Sequence, residues 1–297
     1  VLIFHRVLQE ADPLFPDEVD IQRFDKVCTW LKAWFDVMPL DVAVTRLREG
    51  DLPARAAAIT FDDGYLDNCQ NAMPVLQRHG LTATFFIATD FRHGGCMWND
   101  AVIEAIRNTA LSRLDLRGLA DLGKISVDGV AARREALRIV LPRIKYLQPA
   151  DREVLVSALC SRAEVNPPVG LMMRPDHWRQ LRQGGMSIGA HTCSHPILAR
   201  IDHITARHEI FESRRVLESE LDEPVTLFAY PNGKPVQDYG PEHVELVRDA
   251  GFTAAVNTAW GPAGRESDPF QIPRFTPWDR SRLQFGLRLA WNLARRS

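Results

Sequence analysis

Two adjacent carboxylates and two imidazoles four residues apart are the groups in this sequence best suited to chemistry. Asp62 and Asp63 lie in Thr60-Phe61-Asp62-Asp63-Gly64, and the histidines bound His191-Thr192-Cys193-Ser194-His195. A third short segment, Phe228-Ala229-Tyr230-Pro231-Asn232-Gly233, follows them. Neutral imidazole and carboxylate donors suit Zn²⁺, with Co²⁺, Ni²⁺ or Mn²⁺ as substitutes. Three protein ligands, two His and one Asp, leave positions open for water and substrate, which marks a catalytic site rather than a structural one. With the second Asp free to take a proton, the set is equipped for metal-assisted hydrolysis. Each part alone has a blander explanation. Asp-Asp-Gly is an ordinary turn, and a lone histidine is more often a hydrogen-bonded core or surface residue. The combination carries the argument.

These groups need elements to hold them. Each segment closes an apolar, strand-like run, at Ala56–Phe61, Met186–Ala190 and Val225–Tyr230. Strand ends are where α/β folds build their sites. Neighbours on a strand point to opposite sides, but Gly64 permits the chain to turn there, so one carboxylate can bind a metal while the other stays free. Pro196 after the histidines and Gly189-Ala190 before them point to a strand-to-loop turn rather than a helix. The strands expected are Val1–His5, Ala56–Asp62, Thr82–Thr89, Met186–Thr192, Val225–Pro231 and Thr253–Thr258, with a weaker one at Gln271–Phe275. Helical patterns fall between them at Phe24–Phe35, Asn71–His79, Ile204–Leu221 and Pro241–Ala250, the second and fourth stopped by Gly80 and Gly251. Strand and helix in alternation predict an α/β fold with a parallel sheet, and about seven such units predict a closed (β/α) barrel. One domain over residues 1–297 is expected. From about Ala101 to Val165 no strand is evident, and Ala101–Leu111, Val130–Tyr146 and Ala150–Ala163 read as three helices of an insertion, either capping one rim or packing at the side.

Composition narrows the partners. The 297 residues are 45% hydrophobic with a net charge of −2. That is enough for a full core, and it gives no electrostatic case for nucleic acid. No apolar run has the length of a membrane span. The five cysteines are scattered and fit no disulfide framework, so reduced thiols and a cytoplasmic setting are expected ahead of a periplasmic one. Cys193 reads as a small bystander between the histidines. The C-terminal Asp279–Arg296 reads as a helix in which Leu283, Leu287 and Trp291 alternate with Arg280, Arg282, Arg288, Arg295 and Arg296. Such a helix can lie on a membrane surface or dock on its own domain.

The three segments, in this order, resemble the first three motifs of the polysaccharide deacetylase family (the NodB-homology domain). The resemblance runs from Phe4-His5-Arg6-Val7 to Pro273-Arg274 and covers nearly the whole chain apart from the helical insertion. Met97-Trp98-Asn99-Asp100 and Gly189–Leu198 are also similar to members associated with bacterial exopolysaccharide loci. The resemblance implies a distorted (β/α) barrel that removes N-acetyl groups from amino sugars in a polysaccharide or lipid-linked glycan. By position it makes Asp63, His191 and His195 the metal ligands and Asp62 the general base. It implies an oxyanion held by the metal and a backbone N–H, that of Tyr230. Two departures stand out. Many relatives carry an arginine where this chain has Ala229, and Arg274 is the candidate replacement, against the plain alternative of a surface arginine. Many also supply a late histidine as acid, whereas no histidine follows His243 here; His5, with Asp100 behind it, is the candidate donor to the leaving amine. Tyr230, Pro231, Trp98 and Asp100 are expected to line the substrate. For Phe61, Tyr65, Trp260 and Trp278, core packing competes with sugar stacking. The alternatives are an amide or formamide hydrolase acting on a small substrate, and an inactive sugar-binding homologue.

Overall fold

The computed structural model describes residues 1–294. Among them the elements run β1 (Leu2–Phe4), α1 (Ile21–Trp34), β2 (Asp36–Val37), α2 (Leu40–Glu49), β3 (Ala56–Ala57), β4 (Ile59–Phe61), α3 (Met73–His79), β5 (Thr84–Ile87), α4 (Trp98–Asn108), β6 (Arg113–Leu116) and β7 (Gly123–Ser126). There follow α5 (Gly129–Lys145), α6 (Pro149–Ala163), α7 (Pro175–Gln183), β8 (Ser187–Ala190), α8 (His203–Leu221), β9 (Leu227–Ala229), α9 (Pro241–Asp249), β10 (Ala254–Val256) and α10 (Arg282–Leu293). They form two compact units. One comprises residues 1–10, 17–92 and 173 onward; the other comprises 11–16 and 93–172.

The first unit is a (β/α) barrel. Its six-stranded parallel sheet has the order β1-β4-β5-β8-β9-β10. The strands are short and buried almost throughout, as parallel strands covered by crossover helices must be. Phe4 is in register with Phe61 and Phe61 with Phe85, and their rings stack at 5.2 and 4.8 Å. The weak strand expected at Gln271–Phe275 is reduced to two bridges, Ile272 to Val256 and Phe275 to Leu2. Pro273 between them has no N–H to give a ladder. Those bridges nevertheless join β10 to β1, so the sheet closes on itself. The run expected at Ala56–Asp62 divides into β4, in the barrel, and β3, which pairs instead with β2. Helices α2 and α7, absent from the sequence reading, also belong here. At the other end, α10 covers most of the stretch expected to be helical; Arg295 and Arg296 lie outside the described residues.

The second unit has its own core. Helices α4, α5 and α6 fall close to the three expected, and they bury Val102, Ala105, Ile106, Leu137, Val140 and Leu159 together. The antiparallel hairpin of β6 and β7 was not expected. Arg107 pairs with Asp12 at 2.6 Å, and Arg133 donates to the carbonyls of Val127 and Thr109 at 3.0 and 2.9 Å. Among the described residues no helix is long and apolar enough to cross a membrane.

Candidate active site

The two carboxylates share one site because the backbone folds between them. Asp62 continues β4, and its N–H donates to Phe4 O at 2.9 Å. Asp63 then takes φ +76°, Gly64 takes +88°, and the Gly64 N–H returns to Asp62 O at 3.0 Å. This is a γ-turn centred on a non-glycine residue, a conformation costing on the order of 1–3 kcal/mol that persists only where its surroundings enforce it. It cancels the alternation of the strand and brings both carboxyl groups into one buried pocket. At Gly64 a side chain would press on Ile87 at 3.2 Å as well as strain the backbone.

The histidines arrive from the end of β8. His191 Nδ1 lies 2.7 Å from Ala229 O. A carbonyl only accepts, so Nδ1 carries the proton and Nε2 presents its lone pair. Asp63 Oδ1 stands 3.4 Å from His191 Nε2 and 3.3 Å from His195 Nε2. The ligand atoms of Asp63, His191 and His195 all lie within 4.8 Å of one another. One oxygen and two imidazole lone pairs converging in this way fit a divalent transition-metal ion. His195 is the most open of the group, its side chain 15% exposed.

Asp62 faces Arg274, which is wholly buried. Two parallel hydrogen bonds of 2.7 Å join the guanidinium to both carboxylate oxygens. Arg274 is itself fixed, donating to Asn257 O at 2.8 Å and Thr60 Oγ1 at 3.1 Å. Burial pushes the Asp62 carboxyl up, but Arg274 and then His191 outweigh it and hold it below the usual carboxylate range. Asp63 is likewise held low, with burial opposed chiefly by His195 and His191. Burial drives His195 down to about 4 despite Asp63. His191 is raised, because Asp62 and Asp63 overcome the effect of burial.

The remaining sequence candidates divide. His5 follows Phe4 at the end of β1, next to the strand that Asp62 continues, and it is exposed. The turn after it is held by Asn68 Nδ2 on His5 O, Asp67 Oδ1 on the Val7 N–H and Asn71 Nδ2 on Val7 O. Tyr230 is a correction. Its ring is buried and stacked 3.8 Å from Tyr239, its hydroxyl donates to Phe270 O, and its N–H donates to Val256 O at 3.2 Å. A side chain built into the core, with its N–H in the sheet, neither lines a sugar site nor serves an oxyanion. Pro231 is buried in the turn that follows. Trp98 and Asp100 belong to the helical unit. There Arg152 lies over the Trp98 ring, and Asp100 accepts from the Met97 N–H at 3.0 Å at the start of α4. The Cys193 thiol, pushed up to about 12 by burial, faces Glu209 O at 3.5 Å, and the ligand cluster does not include it.

Sequence reasoning missed three supports. Thr60 and Asn257 hold Arg274, and Glu209 of α8 holds the loop between the histidines through Cys193 and Ser194. The first two are unremarkable polar residues, one within β4 and one just after β10. Glu209 carried a signal: it falls on the helix face that Ala206, Ile210, Ser213 and Leu217 bury, where a carboxylate needs a reason.

The sequence profile of the polysaccharide deacetylase family matches residues 49–113 and 147–255, more than half of the chain. YxkH of Bacillus subtilis (strain 168) is 19% identical over 276 residues, spanning 92% of this chain and 69% of that protein. Among solved structures, the Streptococcus pyogenes deacetylase PplD in complex with acetate has a TM-score of 0.62 at 16% identity, covering 93% of this chain and 90% of its own. IcaB from Ammonifex degensii has a TM-score of 0.61 at 16% identity, with 99% and 96% covered. The BpsB deacetylase domain from Bordetella bronchiseptica has 0.58 at 16%, with 93% and 94% covered. The barrel is the fold these structures share, and with the family match it settles the class: the chain belongs to the polysaccharide deacetylase family, hydrolases acting on N-acetyl amide bonds.

Proposed function

We propose that this protein removes N-acetyl groups from amino sugars of a polysaccharide or lipid-linked glycan, using a divalent ion, Zn²⁺ before Co²⁺, Ni²⁺ or Mn²⁺, held by Asp63, His191 and His195. The supporting observation is the convergence of both imidazole Nε2 atoms on one Asp63 oxygen, beside an Asp62 gripped through both oxygens by Arg274. An ion held there polarises an amide carbonyl and acidifies water. Asp62, ionised at neutral pH, takes the proton of the attacking water, and Arg274 fixes the direction of its lone pairs. A carboxylate has lone pairs left after a bidentate contact, so the pairing aims the base without disabling it. Tyr230 is excluded as oxyanion donor and Pro231 has no N–H. The Asn232 N–H, which meets no acceptor among the described residues, is the next in the turn and is our candidate. His5 is the candidate donor to the leaving amine, held at the rim by the contacts of Asp67, Asn68 and Asn71.

Two further assignments rest on this reading. Trp98 presents its ring to a sugar, so Trp98→Ala should raise KM several-fold with kcat nearly unchanged; equal losses in both would remove it from the binding surface. The second concerns α10, whose Leu283, Leu287 and Trp291 recur every four residues and are 72%, 64% and 54% exposed. We propose peripheral contact of this face with an anionic membrane. Cosedimentation with phosphatidylglycerol vesicles should fall when all three become Ser, and unchanged sedimentation would end that idea.

The activity is tested by acetate release from N-acetylglucosamine oligomers by metal-stripped protein, with and without Zn²⁺ or Co²⁺. We expect metal-dependent release, cut at least about 100-fold by Asp62→Asn. Metal binding without release would point to another amide or a retired enzyme, and failure to bind metal would sink the ligand assignment.

A further inference from the structure

We infer that Glu209 is a positioning residue for the two histidines, acting through the loop that joins them; this rests on the ligand reading above. Its carboxylate sits on the buried face of α8, 7% exposed. Burying a carboxylate is costly unless donors replace the water it loses. Here the donors come from the histidine loop. Oε2 accepts the Cys193 N–H at 2.8 Å and the Ser194 N–H at 2.9 Å, and Oε1 accepts the Ser194 hydroxyl at 2.5 Å. Two successive backbone N–H groups turned onto one anion form a nest, and the loop must adopt that shape to make it.

That shape is not one the loop would keep unaided. Thr192 and His195 both have positive φ, +63° and +57°, on either side of the pair that Glu209 holds. The loop's own side-chain bonds all run through Thr192, whose hydroxyl donates to His191 O at 2.5 Å and accepts the His195 N–H at 3.2 Å, and none reaches the N–H groups of Cys193 and Ser194. On the opposite side, the N–H groups of Thr89 and Asp90 bond the carbonyls of Thr192 and Cys193 at 3.2 and 3.0 Å. Those contacts fix the carbonyls, and among the described residues Glu209 alone meets the N–H groups of Cys193 and Ser194. Without it, the buried Cys193 N–H and the part-buried Ser194 N–H lose their acceptor and the loop rotates, carrying His195 away from Asp63. Glu209 touches no reacting atom, and its effect passes entirely through backbone.

The test compares Glu209→Ala, Glu209→Gln and Ser194→Ala. Co²⁺ affinity and visible spectrum are measured on the folded proteins, and deuterium uptake of the 191–195 peptide on the metal-free ones. Glutamine can accept both N–H groups through its amide oxygen and donate to the Ser194 hydroxyl. We therefore expect Gln to stay within about threefold of wild type in Co²⁺ affinity, and Ala to weaken it about 10–100-fold, the usual range for an outer partner of a metal ligand. Ser194→Ala, which leaves both N–H bonds, should fall between them. Uptake at 191–195 should rise in Ala and not in Gln, with β5 unchanged. Wild-type Co²⁺ affinity and spectrum in Ala would overturn the inference, as would a Gln variant no better than Ala. If the wild type binds no metal, the ligand assignment fails by itself, and deuterium uptake still decides whether Glu209 holds the loop. If Ala does not fold, Gln and Ser194→Ala decide: Gln near wild type with Ser194→Ala measurably weaker supports the brace, and both at wild type, or both strongly weakened, overturns it.

Discussion

At the scale of single residues, the pairing of Asp62 with Arg274 turns an unfavourable burial into an ionised carboxylate, as the proposed base must be. A buried carboxyl by itself would rise above its ordinary value of 3.8 and hold a proton longer; Arg274 reverses the direction. Arg274→Met should therefore move the acid limb of the kcat/KM profile to higher pH, because burial would no longer be opposed by the guanidinium. It should also cost roughly 3–5 kcal/mol of stability, the usual penalty for leaving one member of a buried ion pair alone. In the wild type the depressed pKa contributes stability above about pH 4, lost as pH falls through the folded value; in the variant, where burial raises the carboxyl, the dependence should reverse, with stability lost as pH rises. A pH profile whose acid limb stays in place would mean that Arg274 does not tune the base. Arg274→Lys keeps a charge but loses the two-pronged grip, so an intermediate limb position is expected.

At the scale of elements, the barrel strands were legible because each is a short run of β-branched, aromatic or small apolar residues ended by a turn. The carboxylates and histidines of the candidate site were legible for the same reason, since they stand where those runs stop. What the runs did not reveal was backbone shape. The γ-turn at Asp63, the positive φ at His195 and the Tyr230 N–H bound to Val256 are set by contacts between strands, and no local pattern encodes them. Helix α7 was missed because only Trp178 and Leu181 of its nine residues are buried. The β6–β7 hairpin was missed although Leu114, Leu116 and Ile125 alternate with exposed neighbours, because charged and glycine residues around them read as loop. Gly189 is a related case, noticed for its turn but needed for space. A Cβ there would meet Phe86 ring carbons at 2.5 Å and Leu227 O at 3.0 Å. Phe86 lies 5.9 Å from the Arg274 guanidinium carbon, so the ring cannot move freely away. Gly189→Ala should cost about 1–3 kcal/mol in urea unfolding and lower kcat/KM. A variant as stable and active as wild type would show that β8 has slack the packing does not reveal.

At the scale of the whole molecule, the two compact units bury separate apolar clusters among the described residues, two in the barrel and one in the helical unit. The barrel core gathers Phe24, Phe61, Phe85, Trp178 and Phe228, among others, while Val102, Leu137, Val140 and Leu159 belong to the core of the helical unit. The helical unit also carries internal polar ties of its own, the Arg107–Asp12 pair and the bonds of Arg133, which do not depend on barrel residues. Cooperative opening follows contiguous packing, so regions with distinct cores should open as distinct units. Leu137 is 3% exposed and its loss to Ala leaves a cavity; deletions of this kind cost roughly 2–5 kcal/mol. Leu137→Ala should therefore speed deuterium exchange throughout α4, α5, α6 and the β6–β7 hairpin, while β4, β5 and β8 keep wild-type protection. Acceleration in both sets would mean that the molecule opens as one piece. The carboxylates and histidines of the candidate site all stand in the barrel, so confined acceleration should leave Co²⁺ affinity unchanged.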